Sequence, residues 1–252
     1  MTIIPILLAG YGWFRGIPDG EVNNAEAIAR AMDGERITTR AEDGSEVCGE
    51  VHSLVVPVSW SAAFPCVEEV ALRLRPGIIL ALGTDPASPA MRPEPCGVNW
   101  CEGRDADPLH PELERERRAP IVPGGEAVLR GSLPFEAMTR AMLESGVPAY
   151  MGGLINAPEG APCPAACTAG AYLCNLMAYS LADFARRAPF DVRTGFLHVP
   201  NQPAYAAARR LKRLESEPDA LTRPVYPSMT LEQMVMGTRA ALAACLSVPS
   251  AR

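Results

Sequence analysis

The chain has 252 residues, 48% of them hydrophobic, and 29 acidic side chains against 23 basic ones leave it a net charge of −6. That length and apolar content can bury one sizeable core, so a single domain over residues 1–252 is expected. The acidic balance, without a basic run interleaved with aromatics, excludes nucleic acid as a partner, and an opening apolar run that breaks at Gly10 is too short for a signal peptide or membrane span, which points to the cytoplasm.

In chain order, residues 2–10 (TIIPILLAG) read as a buried strand ending in a glycine turn, and 23–34 (NNAEAIARAMDG) as a capped helix closed by Gly34. Residues 50–60 read as a second strand. Val67, Val70, Ala71 and Leu74 recur at helical spacing until the Pro76-Gly77 stop, and 77–83 (GIILALG) is a continuous apolar run of the kind buried in a parallel sheet. Residues 84–127 are rich in proline, glycine and charge, and the mixed signs of 111–120 (PELERERRAP) mark a solvated surface segment. A helix returns at 133–146, followed by a strand at 147–153.

Residues 151–168 have loop composition with three prolines, and a loop of that length in a compact domain covers or shapes a site. Ala171 to Leu181 is helix material, 193–203 (RTGFLHVPNQP) is an apolar strand ending at a proline, and 230–247 is a terminal helix. Thr230 caps that helix, and Leu231, Met234, Val235 and Thr238 share one face. The alternation of strands and helices predicts a three-layer α/β/α sandwich around a mostly parallel, mixed central sheet.

The eight cysteines contain no C-x-x-C pair, and His52, His110 and His198 lie at no zinc-ligand spacing from them, so no metal site is expected. Taken alone, each thiol reads as a small core hydrophobe. Cys174 differs in position: it follows Thr168-Ala169-Gly170 in the first turns of a helix, where backbone N–H groups and the helix dipole favour a thiolate. Such a nucleophile requires a base. His198 emerges near the end of a strand, where sites of open α/β sheets collect, while His52 and His110 read as surface or loop residues. Glu94, in RPEPCGVN, would by itself read as an exposed loop carboxylate.

At these residues the chain resembles the type I pyroglutamyl peptidases. Residues 168–179, TAGAYLCNLMAY, match the family's S-x-T-A-G-x-[FY]-[VL]-C-N-x-x-x-Y, and GFLHVP at 195–200 matches G-F-[IL]-H-[VI]-P at the family's separation. PEPCGVN at 93–99 is an altered P-E-R-V-A-x-N. The opening AGYGWFRG…VNN looks like T-G-F-x-P-F-G-G…x-N-P, aligning Tyr11 and Phe14 with pocket aromatics and Asn23 with the family asparagine.

The resemblance implies a cytoplasmic cysteine peptidase that removes an N-terminal pyroglutamyl group from peptides through a Cys174–His198–Glu94 triad and an acyl-thioester, without metal or cofactor. It implies a pocket formed by Tyr11, Phe14, Thr84, Tyr172 and Leu173, and assembly into homo-oligomers, dimers or tetramers. Three departures accompany it. Pro95 stands where the family has an arginine, Thr84 stands near a family glutamine, and an insertion around 151–167 precedes the nucleophile's helix. Arg92, two residues before Glu94, is the candidate to supply the missing charge from a shifted position. These departures leave two alternatives open, a related hydrolase of a different cyclic or compact N-acyl amide and a non-catalytic family member kept as a binding module.

Overall fold

The computed structural model describes residues 3–13, 17, 21–103, 117–157, 159–161, 163–216 and 227–248. The first strand, Ile3–Tyr11 (β1), buries Ile6, Leu7, Leu8 and Ala9 in succession, as a central parallel strand covered on both faces must. Asn24–Ala31 (α1) follows, its first turn capped by Asn23 Oδ1, which accepts from the Ala25 N–H. A hairpin of Arg36–Arg40 (β2) and Glu46–Val56 (β3) leads to Ala63–Leu74 (α2), which ends with Arg75 in the left-handed region before Ile78–Thr84 (β4).

Four three-residue strands come next: Arg92–Glu94 (β5), Cys96–Val98 (β6), Cys101–Gly103 (β7) and Arg117–Ala119 (β8). Val128–Arg130 (β9) and Phe135–Glu144 (α3) precede a two-residue ribbon of Leu154–Ile155 (β10) and Ala166–Cys167 (β11). Leu173–Arg187 (α4), Arg193–Val199 (β12), Pro203–Ser216 (α5) and Leu231–Ser247 (α6) complete the order.

The main sheet runs β2-β3-β1-β4-β12-β5. Its four inner strands are parallel and both edge strands antiparallel, which makes it the mixed, mostly parallel sheet expected. Helices α1, α3 and α6 pack together on one face and α2 with α4 on the other, giving three layers. The carboxyl ends of β1, β4 and β12 therefore open at one rim, and the start of α4 meets them there. No helix among the described residues is long and apolar enough to cross a membrane.

Some elements differ from the sequence reading. The strand expected at 147–153 is reduced to an isolated parallel bridge between Ala149 and Met91. The segment runs beside β5, with Met91 donating to the Pro148 carbonyl at 3.0 Å, Tyr150 to Met91 at 3.1 Å and Gly152 to Pro93 at 2.9 Å. The second strand begins at Glu46 rather than residue 50, and half-buried His52 lies on it rather than in a loop. Its partner β2 was not expected, since RITTR is a polar edge strand with one buried residue, Ile37. The expected loop over 151–168 is closed at its base by β10 and β11, and most of the charged stretch at 111–120 lies outside the described residues.

Candidate active site

Strand register brings the candidate residues together. On β12, His198 pairs with Gly83 of β4 on one side and with Arg92 of β5 on the other, while Phe196 pairs with Glu94. Alternate residues of a strand share a face, so Arg92, Glu94, Phe196 and His198 project to the same side of the sheet. Helix α4 covers that side.

The approach to α4 turns at Gly170, whose φ of +79° is a conformation that residues with a β-carbon rarely adopt. Cys174 is the second residue of the helix. Its sulfur lies so close over β4 that a β-carbon on Gly83 would stand 3.0 Å from it and 2.7 Å from the Phe196 ring. Only glycine leaves room for the thiol there.

His198 is 4% exposed and within hydrogen-bonding reach of the Cys174 sulfur. Its Nδ1 lies 2.8 Å from Glu94 Oε1, and Phe196 meets the imidazole edge-to-face at 5.0 Å between ring centres. Burial opposes charging the imidazole, but the Cys174 sulfur and the Glu94 carboxylate outweigh it and push its pKa up to about 9. Glu94 is 2% exposed and far from the solvated loop carboxylate its local sequence suggests. Burial would raise its pKa, yet hydrogen bonds from His198, Thr168 and Arg92 hold it below the ordinary 4.5. Thr168 donates its hydroxyl to Oε2, and Arg92 Nε donates to Oε1 at 2.6 Å.

The expected pocket residues lie around this group. Tyr11, at the end of β1, is buried and donates its hydroxyl to the Leu173 carbonyl at 2.8 Å, which ties the strand to the start of α4. Leu173 is buried beside Cys174, and half-buried Tyr172 packs edge-to-face on Trp60 at 4.9 Å. Thr84 is half-buried at the end of β4 and gives its hydroxyl to Asn23 Oδ1 at 2.7 Å. Phe14 lies outside the described residues. Along the inserted segment, a cleft of about 450 Å³ lined by Trp100, Ile155, Cys163 and Ala165 reaches Gly170 and Ala171, just ahead of the helix.

Several participants were not singled out from sequence. Thr168 opens the cysteine motif, so its position was a usable signal. Asp85 and Tyr150, which contact Arg92, carry no local pattern. Asn175 sits beside Cys174 and bonds the 98–100 segment through three hydrogen bonds, to Val98 N–H, Val98 carbonyl and Trp100 carbonyl.

A sequence profile described as Pyroglutamyl peptidase matches residues 4–247. The chain is 30% identical over 243 residues to a pyrrolidone-carboxylate peptidase of Cupriavidus necator, covering 96% of this chain and 93% of that protein. It is 27% identical over 198 residues to one from Pyrococcus furiosus, covering 79% and 81%. Among solved structures, a mutant pyrrolidone carboxyl peptidase from that hyperthermophile superposes with a TM-score of 0.75 at 25% identity, over 96% of this chain and 98% of the other.

Proposed function

The chain belongs to the pyroglutamyl peptidase family, and from that premise we propose that it is a cysteine peptidase removing an N-terminal pyroglutamyl (5-oxoprolyl) group from peptides, with Cys174, His198 and Glu94 as its triad. The observation that carries the assignment of roles is the contact chain itself: carboxylate at 2.8 Å from one imidazole nitrogen, and sulfur within reach of the same ring.

Cys174 gives its thiol proton to His198 and attacks the carbonyl that joins the pyroglutamyl ring to the next residue, forming a carbon–sulfur bond as the carbonyl oxygen takes up negative charge. Backbone N–H groups in the first turn of α4 meet that oxyanion, each such donor being worth roughly 3 kcal/mol in comparable sites. His198 passes a proton to the departing amine, the carbon–nitrogen bond breaks, and a thioester remains. Water then attacks the thioester with His198 as general base, releasing pyroglutamate and restoring the thiol. Glu94 orients the imidazole and stabilises its charged form. Tyr11, Tyr172 and Leu173 form the apolar wall for the ring, with Thr84 at its rim. Because the Tyr11 hydroxyl is already bonded to Leu173, Tyr11 offers its ring face rather than a hydrogen bond. The protein works as a single-domain homo-oligomer, dimer or tetramer, in the cytoplasm.

Steady-state assay on a pyroglutamyl-arylamide beside other acyl-arylamides tests this reading. Turnover of the pyroglutamyl substrate that disappears in Cys174→Ala and in His198→Ala is the expected result. Preference for another acyl group would reject the substrate, and activity surviving in Cys174→Ala would reject the nucleophile.

A further inference from the structure

Arg92 is 8% exposed, and four of its five N–H hydrogens are accounted for. Nε donates to Glu94 Oε1 at 2.6 Å and Nη1 to the Tyr150 hydroxyl at 2.9 Å. Nη2 has two acceptors, Asp85 Oδ2 at 2.9 Å and the Thr168 carbonyl at 3.1 Å. His198 Nδ1 lies farther off, 3.2 Å from Nη2. Since Nη2 has only two hydrogens and two closer acceptors, it has none left for Nδ1. The Nδ1 position must therefore carry its own hydrogen and give it to Glu94 at 2.8 Å, which leaves Nε2 free for the sulfur.

A second consequence is electrostatic. The groups facing His198 are Cys174 from α4 and Glu94 and Arg92 from β5, with Asp85 and Tyr150 behind the guanidinium. Signs alternate along the line from Asp85 through Arg92 and Glu94 to the imidazole. A positive charge 3.2 Å from Nδ1 disfavours a second positive charge on the ring.

We propose that Arg92 is a positioning residue of the triad: it locks the Glu94 carboxylate, through it fixes the Nδ1–H tautomer of His198, and keeps that imidazole less basic than Glu94 alone would make it. This inference rests on the triad reading above. It assigns to a residue before the glutamate, held by Asp85, Tyr150 and the Thr168 carbonyl, a role that the three triad members cannot fill for themselves.

The test is the pH dependence of kcat and kcat/KM on a pyroglutamyl-arylamide for wild type, Arg92→Met, Arg92→Lys and Asp85→Asn, each first shown to be folded by a cooperative thermal melt. Arg92→Met should lower kcat by up to about 10²-fold with little change in KM, as expected when a catalytic group is misplaced. It should also move the alkaline limb, which reports loss of the imidazolium proton, to higher pH by about half a unit or more. Arg92→Lys keeps the charge but not the planar fork, so kcat should fall while the limb stays near its wild-type place. Asp85→Asn leaves the guanidinium charge less compensated and should move the limb down.

Wild-type kcat and an unmoved limb in Arg92→Met would overturn the inference, and wild-type kcat in Arg92→Lys would overturn the positioning role. If Arg92→Met does not fold, Asp85→Asn with an unmoved limb is sufficient to overturn the electrostatic role. Turnover surviving in His198→Ala sinks the triad and this inference with it. An inactive His198→Ala beside an unaltered Arg92→Met sinks the inference alone.

Discussion

Glu94 is a buried carboxylate held ionised by donors on both oxygens: His198 and Arg92 face Oε1, and Thr168 faces Oε2. Thr168 has a second task, since its oxygen accepts from the Gly153 N–H at 2.8 Å and so fixes the inserted segment against the carboxylate. Thr168→Val keeps the shape and deletes both bonds. It should destabilise the protein by about 1–3 kcal/mol, the range for stranding a buried partner, measured by urea unfolding. It should also raise the Glu94 pKa by removing one of the donors that lower it. An unchanged unfolding midpoint would mean that the Thr168 bonds contribute nothing. At this scale the sequence was informative where a short motif singled out a residue: Cys174, His198 and Glu94 were picked out by their neighbours and lie against one another in the fold. Asp85 and Tyr150 were not, because they reach Arg92 from separate loops and nothing in their local spacing records that convergence.

Helix α4 must hold its first turn at a fixed height over β4, and Asn175 anchors it. Fully buried, Asn175 pairs with both polar backbone groups of Val98 and with the Trp100 carbonyl, replacing a strand that the 98–100 segment lacks on that side. Asn175→Ala would remove the partner of the Val98 N–H and of the Trp100 carbonyl, while the Val98 carbonyl keeps the Trp100 N–H at 2.7 Å. A loss of about 2 kcal/mol or more in chemical unfolding is expected, with reduced turnover in whatever fraction stays folded. A variant as stable as wild type would show that water replaces the amide without loss. Elements of this kind were legible where burial writes a pattern into the chain. The apolar runs of β1 and β4 and the helical spacing of α2 are required by their cores and visible as such. Edge strands impose less: β2 buries one residue and β5 spans three, so their pairing comes from the sheet rather than from their own composition. Residues 147–153 are apolar enough for a strand but form one isolated bridge, Ala149 with Met91, rather than a continuous ladder.

The whole molecule brings α4, β5 and β12 together, and the charges gathered there tie its stability to pH. Glu94 has a folded pKa below its ordinary 4.5, so its contribution is complete above that value and is lost as pH falls through the lower folded pKa. His198 runs the other way. Its folded pKa of about 9 exceeds the ordinary 6.5, so its contribution is complete below 6.5 and is lost as pH rises through about 9. Together they stabilise most between about 4.5 and 6.5. Melting temperatures of wild type and His198→Gln across this range isolate the imidazole. Wild type should exceed the variant by the widest margin near pH 6, and the margin should shrink steadily toward pH 9. A margin that stays constant over that interval would mean that the imidazole gains no proton affinity on folding. The Glu94 carboxylate and the Cys174 sulfur would then not be acting on it as their placement requires.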